Sequence, residues 1–130
     1  MINTHEHAVR VRYCECDPMG VAHHSAYTVW FEMGRTELFR ARGGDYRAFE
    51  AQGMAVAVVD LHITYKAPAH YDDELTVRTT LHDGGQVKIH HTYELLRGDQ
   101  VLATGETVVV CLNAQGKAQA VPDLFRIDAC

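Results

Sequence analysis

The chain has 130 residues, 47% of them hydrophobic and 22% charged, with 12 Lys and Arg against 17 Asp and Glu for a net charge of -5. One domain spanning residues 1–130 is expected, large enough to bury roughly two-thirds of its unfolded surface without staples. The acidic balance argues against a nucleic-acid partner, no apolar run approaches the roughly 20 residues of a membrane span, and the segment Met1–His7 lacks the apolar stretch of a secretory signal.

Residues 7–14 alternate, with Val9, Val11 and Tyr13 on one side, and predict a strand with one half-buried face. Asp17-Pro18-Met19-Gly20 is a turn signal. From about Ser25 the period becomes helical. Tyr27, Trp30, Phe31, Gly34, Leu38 and Ala41 form one stripe, Thr28, Glu32, Arg35 and Glu37 lie off it, and Gly43-Gly44 ends it. Ser25 or His24 stands at the start, where a serine accepts a bond from an orphan amide. Asp45 to Gln52 predicts a short second helix, capped by Asp45 and stopped by Gly53.

The remainder predicts strands. Residues 54–65 are rich in Val, Ile and Ala, and Pro68 breaks the chain after them. Residues 74–82 alternate with Leu75, Val77, Thr79 and Leu81 on one face; residues 86–96 alternate with Val87, Ile89, His91, Tyr93 and Leu95 on one face. Asp83-Gly84-Gly85 and Arg97-Gly98-Asp99 are hairpin turns on either side, and a last strand covers 100–112. The order is strand, long helix, short helix, then four strands in a meander, which predicts an α+β layer of one apolar helix on one antiparallel sheet. Val108, Val109 and Val110 put apolar residues on both faces of the last strand, a hint of a second copy.

The informative segment runs from Val11 to Tyr27. Asp17 follows a strand, and a helix begins seven residues later. That spacing brings one carboxylate to the unsatisfied amides of a helix N-terminus, which stabilise developing negative charge. A carboxylate with such an oxyanion site suits acyl transfer. The plain alternative is that Asp17, before a proline, only closes an Asx-turn.

Cys16-Asp17, Gly20, Val21, His24 and Tyr27 in this register resemble the signature of the 4-hydroxybenzoyl-CoA thioesterase family of hotdog-fold acyl-CoA thioesterases, including its Tol-Pal-associated branch. Trp30-Phe31-Glu32, Arg35-Thr36-Glu37, Tyr65-Lys66-Ala67-Pro68, Tyr71 to Leu75, Val109 to Leu112 and Pro122 extend the resemblance over nearly the whole chain. Ala26 stands where the family commonly has Asn, and His23 where it commonly has an aromatic residue. The resemblance implies a hotdog fold, a sheet of about five antiparallel strands wrapped around one long helix. It implies a homodimer or homotetramer with sheets joined at their edges and active sites at the subunit interface. It implies hydrolysis of acyl-CoA to free acid and CoA, with Asp17 as base or nucleophile and the His24 amide polarising the thioester carbonyl, and no cofactor or metal. It further implies substrate contacts from Tyr13, Gly20, Val21 and Tyr27, and tunnel walls from Val59, Leu61, Tyr65 and the helix face. The Trp-Phe-Glu and Gly-Arg-Thr-Glu stretch is also similar to relatives acting on 1,4-dihydroxy-2-naphthoyl-CoA.

Other residues receive structural assignments. The four cysteines form no disulfide or zinc pattern and predict reduced thiols in the cytoplasm. The nine histidines show no chelating spacing, and His91 is expected to be a partly buried, satisfied side chain. Glu15 is expected to end the strand facing solvent or an interface, Glu32 and Glu37 to pair with Arg35 or Arg40, and Cys16 to pack. Lys66, Arg78, Lys88 and Arg97 are the cations available to a CoA nucleotide. Two other functions compete with hydrolysis: a hotdog dehydratase or hydratase, and a non-catalytic acyl-thioester binding protein.

Overall fold

The computed structural model describes residues 2–127. Strand β1 (Thr4–Arg10) leads through a one-turn 3-10 helix (Tyr13–Glu15) to helix α1 (His24–Ala41) and the short α2 (Tyr46–Ala51). Strands β2 (Ala55–Tyr65), β3 (Glu74–His82), β4 (Lys88–Arg97) and β5 (Gln100–Leu112) follow. They form one antiparallel sheet in the order β1-β3-β4-β5-β2. Only β3, β4 and β5 are a meander. β2 crosses to the far edge and pairs with β5, so the expected neighbourhood of the second and third strands is corrected. The connection Lys66–Asp73 spans the sheet instead of turning tightly, because Pro68 and the left-handed Asp72 (φ 68°) shape an irregular segment there.

The alternation in β3 and β4 sets the core. Leu75, Val77, Thr79 and Leu81 are buried on the helix side together with Ile89, His91, Tyr93 and Leu95. Val87 stays exposed, because β4 begins one residue later, at Lys88. α1 presents Trp30, Phe31 and Leu38 to this face, each 1% exposed. Gly34 allows the close approach: a Cβ there would lie 2.4 Å from Thr79 Oγ1 and 2.7 Å from Val77 Cγ1. Phe31 stacks on Tyr93 at 4.6 Å. A second apolar cluster joins Leu38, Phe39, Phe49, Ile89 and Val109 to Phe125.

Two expectations for the helix change. Ala41 is exposed and Phe39 takes its place in the core. Arg35, off the predicted stripe, is buried. The apolar face is therefore wider than the i, i+3, i+4 pattern showed, because α2 and the chain end cover a second side of α1. The outer face of the sheet is largely polar, carrying Thr80, Thr92 and Thr104 and the ion pair Arg78–Glu94 at 3.0 Å. Exposed apolar side chains gather instead on the edge strand β2, at Val58, Val59, Leu61 and Tyr65. No helix among the described residues is long and apolar enough to cross a membrane.

Candidate active site

Asp17 sits in a loop that the surrounding chain holds from two directions. Its carbonyl accepts the Gly20 amide at 2.9 Å, and its own amide donates to Val21 O at 2.9 Å. Gly20 adopts φ 81°, a conformation open to glycine at little cost. Cys16 and Ala22 bridge across the loop, while the His23 amide donates to Glu15 O at 2.7 Å. On one side the loop is joined to the β2–β3 crossover through Ala22 N–H to Ala69 O at 2.8 Å. On the other side Glu15 anchors it under α1.

Glu15 overturns the expectation of a residue that ends the strand facing solvent or an interface. It is 8% exposed, and its Oε2 accepts the indole Nε1–H of Trp30 at 2.9 Å. Its Oε1 accepts the Arg12 amide at 2.7 Å, and the Arg12 guanidinium reaches Oε2 at 3.3 Å. The chain turns into a 3-10 helix at Tyr13, which swings Glu15 inward. The same turn leaves Tyr13 81% exposed and packed edge-on against Tyr71 at 5.7 Å. The predicted alternation Val9, Val11, Tyr13 therefore fails at its last member, and Tyr13 lies away from the site cleft.

The start of α1 differs in detail. His23, not Ser25 or His24, is the N-cap: its Nδ1 accepts the Ser25 amide at 3.2 Å and lies 2.8 Å from Ser25 Oγ. His24 is the first helical residue, so its amide has no intrahelical acceptor. Its carbonyl accepts the Tyr65 hydroxyl at 3.1 Å. Tyr65 also meets the ring of Tyr27 at 4.9 Å. Burial raises the phenol pKa of both tyrosines, which keeps them neutral donors.

A cleft of about 380 Å³ brings these pieces together, lined by Asp17, Val21, His24, Tyr27, Tyr65 and Lys66 among others. The Asx-turn at Asp17 is formed: Oδ1 closes it by accepting the Met19 amide at 2.9 Å. Oδ2 takes no hydrogen bond among the described residues. Gly20 shapes the loop without lining the cleft.

The predicted wall of β2 is displaced by a bulge. The pairing with β5 steps between Val58 and Asp60, leaving Val59 as the extra residue. Alternation alone put Val59, Leu61 and Tyr65 on one face; the bulge turns Val59 away and brings Val58 in beside Leu61. Sequence reasoning also missed His23 as the cap and the crossover residues Ala67 and Pro68 in the cleft wall. Among the cations, Lys66 lines the cleft, whereas Arg78 pairs with Glu94 and Arg97 with Asp73 at 2.8 Å. Burial alone would raise the Asp73 pKa; the His70 amide and the Arg97 guanidinium hold it below its ordinary value. Glu37 pairs with Arg40 as expected. Cys14, Cys16 and Cys111 are free, and Cys130 lies outside the described residues.

His91 departs from its assignment too. It is 2% exposed, and its Nδ1 has no hydrogen-bond partner among the described residues. Burial first, then the neighbouring charge of Arg35, pushes its pKa down to about 3.

Comparison with known proteins then fixes the family. The model of the thioesterase-like superfamily matches residues 11–126. The chain belongs to the thioesterase-like superfamily. YneP of Bacillus subtilis, named as a candidate acyl-CoA thioesterase, is 39% identical over 87 residues, which cover 67% of this chain and 63% of that protein. The acyl-CoA thioester hydrolase YbgC of Escherichia coli is 30% identical over 116 residues, covering 88% of this chain and 87% of YbgC. The DHNA-CoA thioesterase of Staphylococcus aureus superposes with a TM-score of 0.87 at 28% identity, covering 90% of this chain and 80% of that one. Within the superfamily, the five-stranded sheet with one long helix is the hotdog architecture.

Proposed function

We propose that the protein hydrolyses acyl-CoA to a free acid and CoA, with Asp17 and the first turn of α1 as its machinery. Its family, and relatives named as thioester hydrolases over most of its length, make it a thioesterase. The observation that carries the mechanism is one cleft holding a carboxylate oxygen that takes no hydrogen bond among the described residues, beside the N-terminal turn of an 18-residue helix.

In this reading the thioester carbonyl oxygen accepts the His24 amide, and the helix terminus stabilises the charge that develops there. Asp17 Oδ2 attacks the carbonyl carbon, CoA leaves as the thiolate, and water hydrolyses the mixed anhydride. The competing route has Oδ2 remove a proton from an attacking water. A single turnover in ¹⁸O-water separates them: label in the Asp17 carboxylate marks the anhydride. The imidazole of His24 orients the carboxylate or the water. Val21, Tyr27 and Tyr65 shape the acyl entrance, and Lys66 stands at the rim for the CoA phosphates. We assign no substrate contact to the exposed Tyr13 or to Val59. The exposed apolar edge of β2 supports an edge-to-edge homodimer, and the free thiols fit a cytoplasmic setting.

The test is thiol release from acetyl-, octanoyl-, palmitoyl-, benzoyl-, 4-hydroxybenzoyl- and dihydroxynaphthoyl-CoA. Wild type turns over at least one, and Asp17→Asn loses about 100-fold or more in kcat/KM, the order contributed by a positioned base. Equal turnover by a folded Asp17→Asn variant refutes the role of Asp17. Double-bond migration without thiol release points to a dehydratase.

A further inference from the structure

Arg35 stands outside this machinery and yet is buried, 8% exposed in the middle of α1. A guanidinium carries its charge at every working pH and offers five N–H donors. A buried charge calls for a counter-charge. Among the described residues Arg35 makes no ion pair. Its Nη1 donates to Tyr93 Oη at 3.2 Å, and that hydroxyl is itself bonded to Thr107 Oγ1 at 2.6 Å. The Tyr46 phenol stands in the wall of the same cavity. Glu32, one turn earlier on α1, lines the same space without pairing to it. Among the described residues the guanidinium's one hydrogen bond is to a neutral hydroxyl, which leaves donors to spare.

That space is a trough between α1 and β2. A cavity of about 110 Å³ lies between Thr28 and Arg35 on the helix and Val58 and Leu61 on the strand, with Thr107 beneath. A second of about 390 Å³ continues toward Tyr46 and Val56, and Arg35 stands in the wall of both. The same helix and strand bound the Asp17 cleft at their other ends, through His24, Tyr27 and Tyr65. From His24 to Arg35 the helix advances about 16 Å, and the arginine side chain leans back toward the N-terminus.

We propose that this trough receives the acyl group and that Arg35, at its far end, binds a second, free carboxylate: the preferred substrates are CoA monothioesters of dicarboxylic acids. The proposal rests on the thioesterase reading above. Val58 and Leu61 flank the methylene chain. A carboxylate matches the guanidinium fork with two parallel hydrogen bonds and supplies the charge that the protein withholds. A chain ending in a methyl group leaves that charge uncompensated.

Two measurements test it. The first compares kcat/KM for adipoyl-, suberoyl- and sebacoyl-CoA with hexanoyl-, octanoyl- and decanoyl-CoA, in wild type and Arg35→Gln. The second is calorimetric binding of the corresponding non-hydrolysable thioethers to the same proteins, which reads Arg35 whether or not turnover occurs. For at least one length, wild type should favour the carboxylate-ended member by about tenfold or more, as a charge-assisted pair warrants. Arg35→Gln should abolish the preference while hydrolysing the methyl-ended chain within a few-fold of wild type. If Arg35→Gln does not fold, Arg35→Lys keeps the charge without the fork and should lose most of the preference. A preference that survives these substitutions, or methyl-ended chains bound equally well at every length, overturns the proposal; equal binding leaves a carboxylate of a second copy as the counter-charge. Thioether selectivity through Arg35 without any hydrolysis refutes the thioesterase reading alone. Hydrolysis without selectivity refutes the trough alone.

Discussion

Glu15→Gln tests how the Asp17 loop is held in place. The carboxylate accepts from three N–H donors, Trp30 Nε1 and the Arg12 guanidinium on Oε2 and the Arg12 amide on Oε1. A carboxamide is nearly isosteric, so no cavity opens. It has one acceptor oxygen, however, and in either orientation its NH2 group meets at least one N–H donor. One bond to a charged acceptor is lost and its donor is stranded, at a cost of about 1.5–3 kcal/mol. For a chain of this length that corresponds to roughly 5–10 °C in Tm. Trp30 is the only tryptophan, so its fluorescence reports the broken bond directly. The Glu15 carbonyl also receives the His23 amide at the base of the loop, so kcat should fall while the protein remains folded. Calorimetry, the emission spectrum and thiol release together check the prediction. A variant with unchanged Tm and unchanged emission refutes the anchoring role of Glu15.

Two further substitutions probe the frame. Gly34→Ala should destabilise the protein by about 1–2 kcal/mol in denaturant unfolding. The gain of about 1 kcal/mol in helix propensity is outweighed by overpacking against Thr79 and Val77; equal or greater stability would show that the sheet yields. His91→Leu should flatten the pH dependence of stability. The folded state excludes the proton that the unfolded chain takes up below about pH 6.5, because the native pKa lies near 3. The site's stability is thus complete above pH 6.5 and falls toward pH 3 by up to about 1.4 kcal/mol per unit. Asp73 and Glu37, both held below their ordinary values, also lose stability in acid, so the comparison is between slopes. Parallel slopes for wild type and variant between pH 6.5 and 4 refute the assignment.

The helix, the alternating strands β3 and β4, the hairpin turns and the Asp45 cap were legible in the chain because each follows from a local period or a short-range bond. The registered segment from Cys16 to Tyr27 likewise announced the family and placed Asp17, Val21, His24 and Tyr27 in one cleft with Tyr65. What the sequence left open depends on distant partners. Glu15 is an exposed-looking acid until Trp30 is packed above it. Val59 leaves the wall because a bulge against β5 breaks the alternation, and no local signal marks that register step. β2 reaches the far edge of the sheet because strand pairing is decided by which edges remain free after β3, β4 and β5 have joined. Arg35 and His91 lie in the core because α1, α2 and the sheet close over them together. The sequence by itself determined most of the elements, which rest on neighbours within a few residues, and the family, which rests on motifs in register along the chain. Only the tertiary structure decided which charges are buried, which faces meet and how far the trough runs, since burial arises from contacts between segments remote in the chain.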